Sequence, residues 1–160
     1  MKKYLQQGLI MMAGIASLPV AVSHANAQLP KPECNQNDPR FVSLRHFFHN
    51  AKSPMERLTA VFIQEADAHH LDWRLLPGLS MVESGCGRSY RGNNIFGWNN
   101  GNSSFGSIRE GIHFVADRLA NARSYRGKSV GGKLAAYNPN EGYSRSVQSV
   151  MQRISAIEGL

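Results

Sequence analysis

From Phe41 onward, apolar residues recur three and four positions apart, the period of helices that bury one face. The first helix is expected from Phe41 to about Asn50. A better-marked one starts at Ser53, where Ser53-Pro54-Met55-Glu56 has the form of a capping box with proline at the first helical position. Leu58, Val61, Phe62, Glu65 and Ala66 follow at helical spacing and carry it to about His70. Asp72 can cap the next helix, although Pro77 argues for an irregular first turn or a start nearer Leu76. Gly85 and Gly87 end that helix. The period then breaks: Gly87 to Gly106 is rich in Gly, Asn and Ser with aromatics between them, and reads as a long loop or small lobe with room for a short hairpin. Ser107-Ile108-Arg109-Glu110 is a second capping box, and Ile108, Ile112, Val115, Ala116 and Leu119 share the face that follows. A short helix around Ser129 to Tyr137 comes next. The last helix carries Tyr143, Val147, Val150, Met151, Ile154 and Ile157 in one stripe. With no repeat and no convincing strand alternation, the expected fold is mainly α.

Ahead of these helices lies a different pattern. An apolar run from about Leu9 to Val22 follows Lys2 and Lys3 and closes on Ala25-Asn26-Ala27, a small-x-small cleavage site. These are the parts of a signal peptide spanning residues 1–27, cut between Ala27 and Gln28. The alternative, an uncleaved anchor, is disfavoured because Gly14, Ser17 and Pro19 interrupt a run shorter than the roughly 20 apolar residues of a spanning helix. The expectation is an exported protein, periplasmic or secreted, with no stable membrane anchor. Pro30, Pro32 and Pro39 make Gln28 to Arg40 an extended arm, so residues 28–52 form an arm and short helix, and residues 53–160 the main domain.

Charge adds a little to this picture. The chain has 18 basic and 11 acidic residues, a net +7; without Lys2 and Lys3 the balance is 16 against 11, or +5. A basic surface attracts nucleic acid, anionic membrane or an acidic polymer. An exported protein meets a cell wall rich in peptide carboxylates rather than nucleic acid, though excess charge also serves solubility alone. The two cysteines, Cys34 and Cys86, are expected to pair outside the cytoplasm, with two free thiols as the alternative. Such a bridge closes a loop of about 50 residues, worth roughly 4 kcal/mol in the loop-entropy account.

One residue resists a structural explanation. On a wheel at about 100° per residue, Leu75, Leu76, Leu79 and Val82 occupy one arc, and Glu83 falls inside it. Desolvation disfavours a charged carboxylate there, and so does the negative potential of a helix C-terminus just before Gly85. Both favour the protonated carboxyl, the form that donates a proton to a glycosidic oxygen. The competing reading is a structural Glu paired with Arg88 or Arg91.

Three motifs then decide the direction. Leu79-Ser80-Met81-Val82-Glu83-Ser84-Gly85-Cys86-Gly87, followed by Asn93-Asn94-Ile95-Phe96-Gly97-Trp98 and later Ala136-Tyr137-Asn138-Pro139 with Tyr143, resembles the bacterial glucosaminidase family. The Ala-Tyr-Asn start is also similar to a motif of lytic transglycosylases, which share the lysozyme-like fold. The likeness spans roughly residues 54–157. It implies a lysozyme-like helical domain that cleaves the glycan strands of peptidoglycan, acting as an endo-β-N-acetylglucosaminidase with Glu83 as the acid. Tyr137 would reach toward the scissile bond. Asn94, Phe96, Trp98, Asn138 and Tyr143 would contact substrate. Independently of the resemblance, Asn93, Asn94, Asn99, Asn100 and Asn102 supply amides and Phe96, Trp98 and Phe105 supply flat faces, a mixture suited to a sugar. Core packing explains Phe96 and Trp98 too, and Tyr137 could equally be a buried tyrosine whose hydroxyl finds a backbone partner.

The chain departs from a two-carboxylate glycosidase. After Glu83 the acids are Glu110, Asp117, Glu141 and Glu158; Glu110 belongs to a capping box, Asp117 to a polar helix face and Glu158 to the tail. Only Glu141, beside Tyr137-Asn138-Pro139, is a free candidate for a second carboxylate. A single-carboxylate mechanism is therefore expected. Assistance by the substrate's N-acetyl group makes a hydrolase, whereas attack by its C6 hydroxyl makes a lytic transglycosylase with an anhydro product. A third reading is a wall-glycan-binding module without catalysis, or a piece of a secretion or flagellar apparatus that opens the wall locally. No cofactor is implied. His46 and His49, or His69 and His70, lack HExxH spacing, so no metal site is expected, and Gly131-Gly132-Lys133 lacks P-loop spacing.

Overall fold

A computed structural model describes residue 35 and residues 37–155; the expected signal peptide, Cys34 and Ile157 lie outside the described residues. Six α-helices and one 3₁₀ turn make up the regular structure, with no strand among the described residues. The mainly α class is therefore observed. None of these helices is long and apolar enough to cross a membrane.

α1, Pro39–Asn50, starts two residues before the expected position. The Asp38 side chain accepts a hydrogen bond from Arg40 N–H, and Pro39 occupies the first turn, where its missing N–H costs nothing. Pro39 thus opens a helix and is not part of an arm. The Arg40 guanidinium bonds the Asp38 carboxylate, holding it below the usual range, and reaches Asp67 at 2.7 Å. Residues 54–68 are not one helix as expected. A 3₁₀ turn, Pro54–Leu58, precedes α2, Thr59–Ala68. Ser53 Oγ does accept from Met55 N–H, but Glu56 turns to Arg45 and His49 instead of closing the box, so the first turn stays tight. The second box is displaced as well: Ser107 accepts from Glu110 N–H, while Glu110 accepts from Gly106 N–H.

α3, Leu75–Ser84, tolerates Pro77 because a first-turn residue needs no intrahelical donor. α4 is Ile108–Asn121, α5 Val130–Tyr137, and α6 Glu141–Ser155. α3 lies against α6, and the approach is close at Gly78. A Cβ there would stand 3.1 Å from Met151 Cγ and 3.2 Å from Val147 Cγ1. The stripe Val147, Val150, Met151 and Ile154 is buried as the period requires. A file of rings, Phe47, Phe48, Phe62 and Phe96, runs through the core with neighbouring centroids 5.9, 5.2 and 6.5 Å apart. Its last member comes from the irregular loop between α3 and α4. That segment holds no hairpin; it is a series of turns anchored by fully buried Ile95 and Phe96.

Candidate functional site

The site begins where α3 ends. Gly85 adopts the left-handed conformation at φ 61°, which lets its N–H donate to Met81 O at 3.0 Å while Cys86 N–H donates to Ser80 O at 2.9 Å. Ser84 is buried beneath the turn: its hydroxyl accepts from Gly87 N–H at 2.9 Å and lies 2.7 Å from Ile95 O. These contacts fold the loop back over the helix end and set Gly97 beside Glu83. Leu75, Leu76, Leu79, Ser80 and Ser84 form the buried side of α3. Glu83 lies within that arc yet is only half-buried, because in the last turn the arc opens onto a cleft. Val82, expected on the same buried side, is 37% exposed; the core face at this end passes through Ser80 and Ser84 instead.

The cleft holds about 650 Å³. The loop supplies Gly97, Trp98, Asn99, Asn100, Gly101 and Ser103, the turn after α4 supplies Tyr125, and the end of α5 supplies Tyr137 and Asn138. Among the described residues, Glu83 is the one acidic residue lining it. Glu141 is exposed at the start of α6 and is not among the lining residues.

The two carboxyl oxygens of Glu83 have different surroundings. Oε1 accepts a hydrogen bond from the Tyr143 hydroxyl at 2.6 Å. Oε2 faces the bare backbone of Gly97, where φ is +59° and a Cβ would come within 2.5 Å of it. Burial, and then the adjoining Glu83 carboxylate, hold the Tyr143 phenol well above its ordinary range, so it remains a donor. Tyr137 lies nearly parallel to Tyr143, with centroids 6.0 Å apart and planes 7° apart. Burial raises its phenol as well, followed by the negative charge of Glu83.

The expected site residues divide into three groups. Glu83, Trp98, Tyr137 and Asn138 do line the cleft. Phe96 does not: it is 0% exposed and packs on Phe62, anchoring the loop in the core. Asn94 is buried too, and its amide staples the loop, donating to Trp98 O and Ser103 O and accepting from Trp98 N–H. Neither has a face left for substrate. Tyr143 and Tyr137 exchange emphasis. Tyr143 touches Glu83 itself, whereas the Tyr137 hydroxyl donates to Phe96 O, which commits its proton to the backbone. Of the amides and rings between Asn93 and Phe105, only Trp98, Asn99 and Asn100 border the cleft; Phe105 packs on Phe114, centroids 5.2 Å apart.

Gly97, Ser84 and Tyr125 went unassigned in the sequence. Gly97 lay inside a quoted motif without a role. Ser84 likewise lies inside a motif without a role of its own, and Tyr125 sits in a short turn that carries no periodic signal. Trp98 packs edge-on against Phe114 and Tyr137, with centroids 5.8 and 5.6 Å away, so one side is packed while the rest borders the cleft. Compared with known proteins, the chain matches no family model, no curated protein and no solved structure.

Proposed function

We propose that this protein is a peptidoglycan-cleaving glycosidase of the endo-β-N-acetylglucosaminidase type, exported to the wall, with Glu83 as its general acid. The observation that carries the reading is the asymmetry of that carboxyl. Tyr143 holds Oε1, and the absent side chain of Gly97 leaves Oε2 open to a glycosidic oxygen. Proton donation from Oε2 to the leaving oxygen is general acid catalysis, worth on the order of 10² to 10⁴ in rate. A cleft lined by one acid, amides and aromatic rings suits a sugar chain and supports a mechanism in which the substrate's own N-acetyl oxygen stabilises the cation-like carbon. The motif resemblance to glucosaminidases points the same way, and a lysozyme-like arrangement belongs to this proposal.

The test is mass spectrometry of the soluble products released from purified peptidoglycan. A hydrolase of this type leaves reducing N-acetylglucosamine ends. Anhydro ends, one water lighter, would replace it with a lytic transglycosylase, and glycan binding without any product would leave a binding module. Glu83→Gln is expected to release nothing while folding and binding glycan normally, because the amide keeps the shape without a transferable proton. Sacculus clearing by that variant at near wild-type rate would overturn the assignment.

A further inference from the structure

Away from the cleft, Glu65, His69 and His113 converge between α2 and α4. One ligand-capable atom from each lies within 4.8 Å of the others, and none of the three lines the cleft of Glu83. Glu65 and His69 are four residues apart, which puts them on one side at the end of α2; His113 comes from α4. His113 Nδ1 lies 2.8 Å from Glu65 Oε2, and the two imidazole rings meet edge to face with centroids 5.5 Å apart.

The hydrogen bonding of His69 gives the cluster a direction. Its Nδ1 lies 2.9 Å from the backbone oxygen of Glu65 and 3.6 Å from Glu65 Oε2. A carbonyl only accepts, so Nδ1 carries the hydrogen, and Nε2 holds the lone pair whenever the ring is neutral. An imidazole whose second nitrogen donates to a backbone carbonyl is the arrangement that orients metal-binding histidines. The side chains of Glu65 and His69 are only 13% and 12% exposed, so the carboxylate and one ring are held by their surroundings. His113, at 45%, is open to solvent and gives an ion a way in.

We propose that Glu65, His69 and His113 form a binding site for one divalent transition metal of the zinc class. Two imidazoles and a carboxylate match the preference of zinc, copper and nickel, and the three leave a fourth position for water. Magnesium and calcium, which select oxygen ligands, are poorly served. Zinc holds nitrogen and oxygen ligands at about 2.0–2.2 Å, which sets tetrahedral ligand atoms about 3.3 Å apart. Closing from 4.8 Å requires side-chain rotation, in which His113 exchanges its 2.8 Å hydrogen bond to Glu65 Oε2 for the ion. A bound ion would clamp α2 to α4 without entering the cleft, so this inference stands apart from the proposed activity. Reading the histidines by spacing alone misses the cluster, because His113 is 48 residues from Glu65.

The test uses purified, untagged, chelator-treated protein. Titration with zinc in a calorimeter should give one site per chain, and zinc in about tenfold excess over Kd should raise Tm by about 5 °C. Magnesium should do neither. His69→Ala and His113→Ala should each fold and lose the zinc response, whereas a variant with His46, His49 and His70 replaced by Ala should keep it. Cobalt substitution should give a visible d–d spectrum that disappears in His113→Ala. No zinc heat with wild type, or a response that persists in both single variants, would overturn the site. Loss of the response in the His46/His49/His70 variant would also overturn it and assign the ion to those histidines.

Discussion

Tyr143 is 60 residues from Glu83 in the chain and 2.6 Å from it in space. Its hydroxyl occupies one carboxyl oxygen and leaves the other beside Gly97. Tyr143→Phe removes one hydrogen bond to a carboxyl that becomes charged as it gives up its proton, worth about 1.5–3 kcal/mol, so kcat is expected to fall about 10- to 100-fold with KM little changed. An unchanged kcat would show that the carboxyl is oriented by something else. Gly97 acts on the other oxygen. A methyl at this position meets Oε2 and forces an L-residue into a left-handed backbone. Gly97→Ala is expected to cost about 1–2 kcal/mol in a urea melt and to lower kcat/KM by 100-fold or more, since displacements of about 1 Å are worth that much. The same reasoning reinterprets the asparagines of the loop. Asn93, Asn99 and Asn100 all have positive φ, so part of the amide richness that resembles a sugar wall is demanded by the backbone.

At the scale of elements, the loop between α3 and α4 combines a core anchor with a cleft wall. Ile95 and Phe96 go inward, Gly97 passes the carboxyl, and Trp98 turns along the cleft. Trp98→Ala therefore affects both stability and activity. A fully buried tryptophan costs about 3–5 kcal/mol on truncation, and this half-packed one is expected to cost about 2 kcal/mol. The larger effect should be on kcat/KM, and chitooligosaccharide should quench or shift the wild-type fluorescence. A collapsed Tm with no fluorescence response would return Trp98 wholly to the core. α6 also has two tasks: its stripe packs on α3, and its first turn carries Tyr143 to the acid.

For the whole molecule, the expected Cys34–Cys86 disulfide is open to a direct check in solution. Cys86 is entirely buried behind the turn that follows Glu83, and as a thiol it would be pushed up to about 11, chiefly by burial. Such a thiol resists alkylation in the folded state, which imitates a bridge. The expected Cys34–Cys86 disulfide must therefore be tested in denaturant. Protein taken from the periplasm or medium, unfolded without reductant and treated with iodoacetamide, should gain no mass; two added carbamidomethyl groups would show two thiols.

The sequence alone carried the helical class, the element limits to within a few residues, and the position of Glu83 in the last turn of α3. Those depend on local signals, namely apolar period, Pro and Gly positions and capping side chains, and they act within one or two turns. Ile108, Ile112, Val115, Ala116 and Leu119 announce α4 in this way. The division of labour in the loop was not legible, because a segment without a period does not reveal which aromatic faces inward. Phe96 enters the core since Phe62 waits there, and Asn94 is consumed since irregular backbone needs partners for its buried amides and carbonyls. Tyr143 at Glu83, Gly97 beneath Oε2 and His113 beside Glu65 are likewise pairings between distant parts of the chain. The packing of α3 on α6 and of α2 on α4, and for Gly97 the Ser84 contacts that fold the loop over the helix end, bring them together, and that packing depends on complementary surfaces that no single stretch of sequence contains.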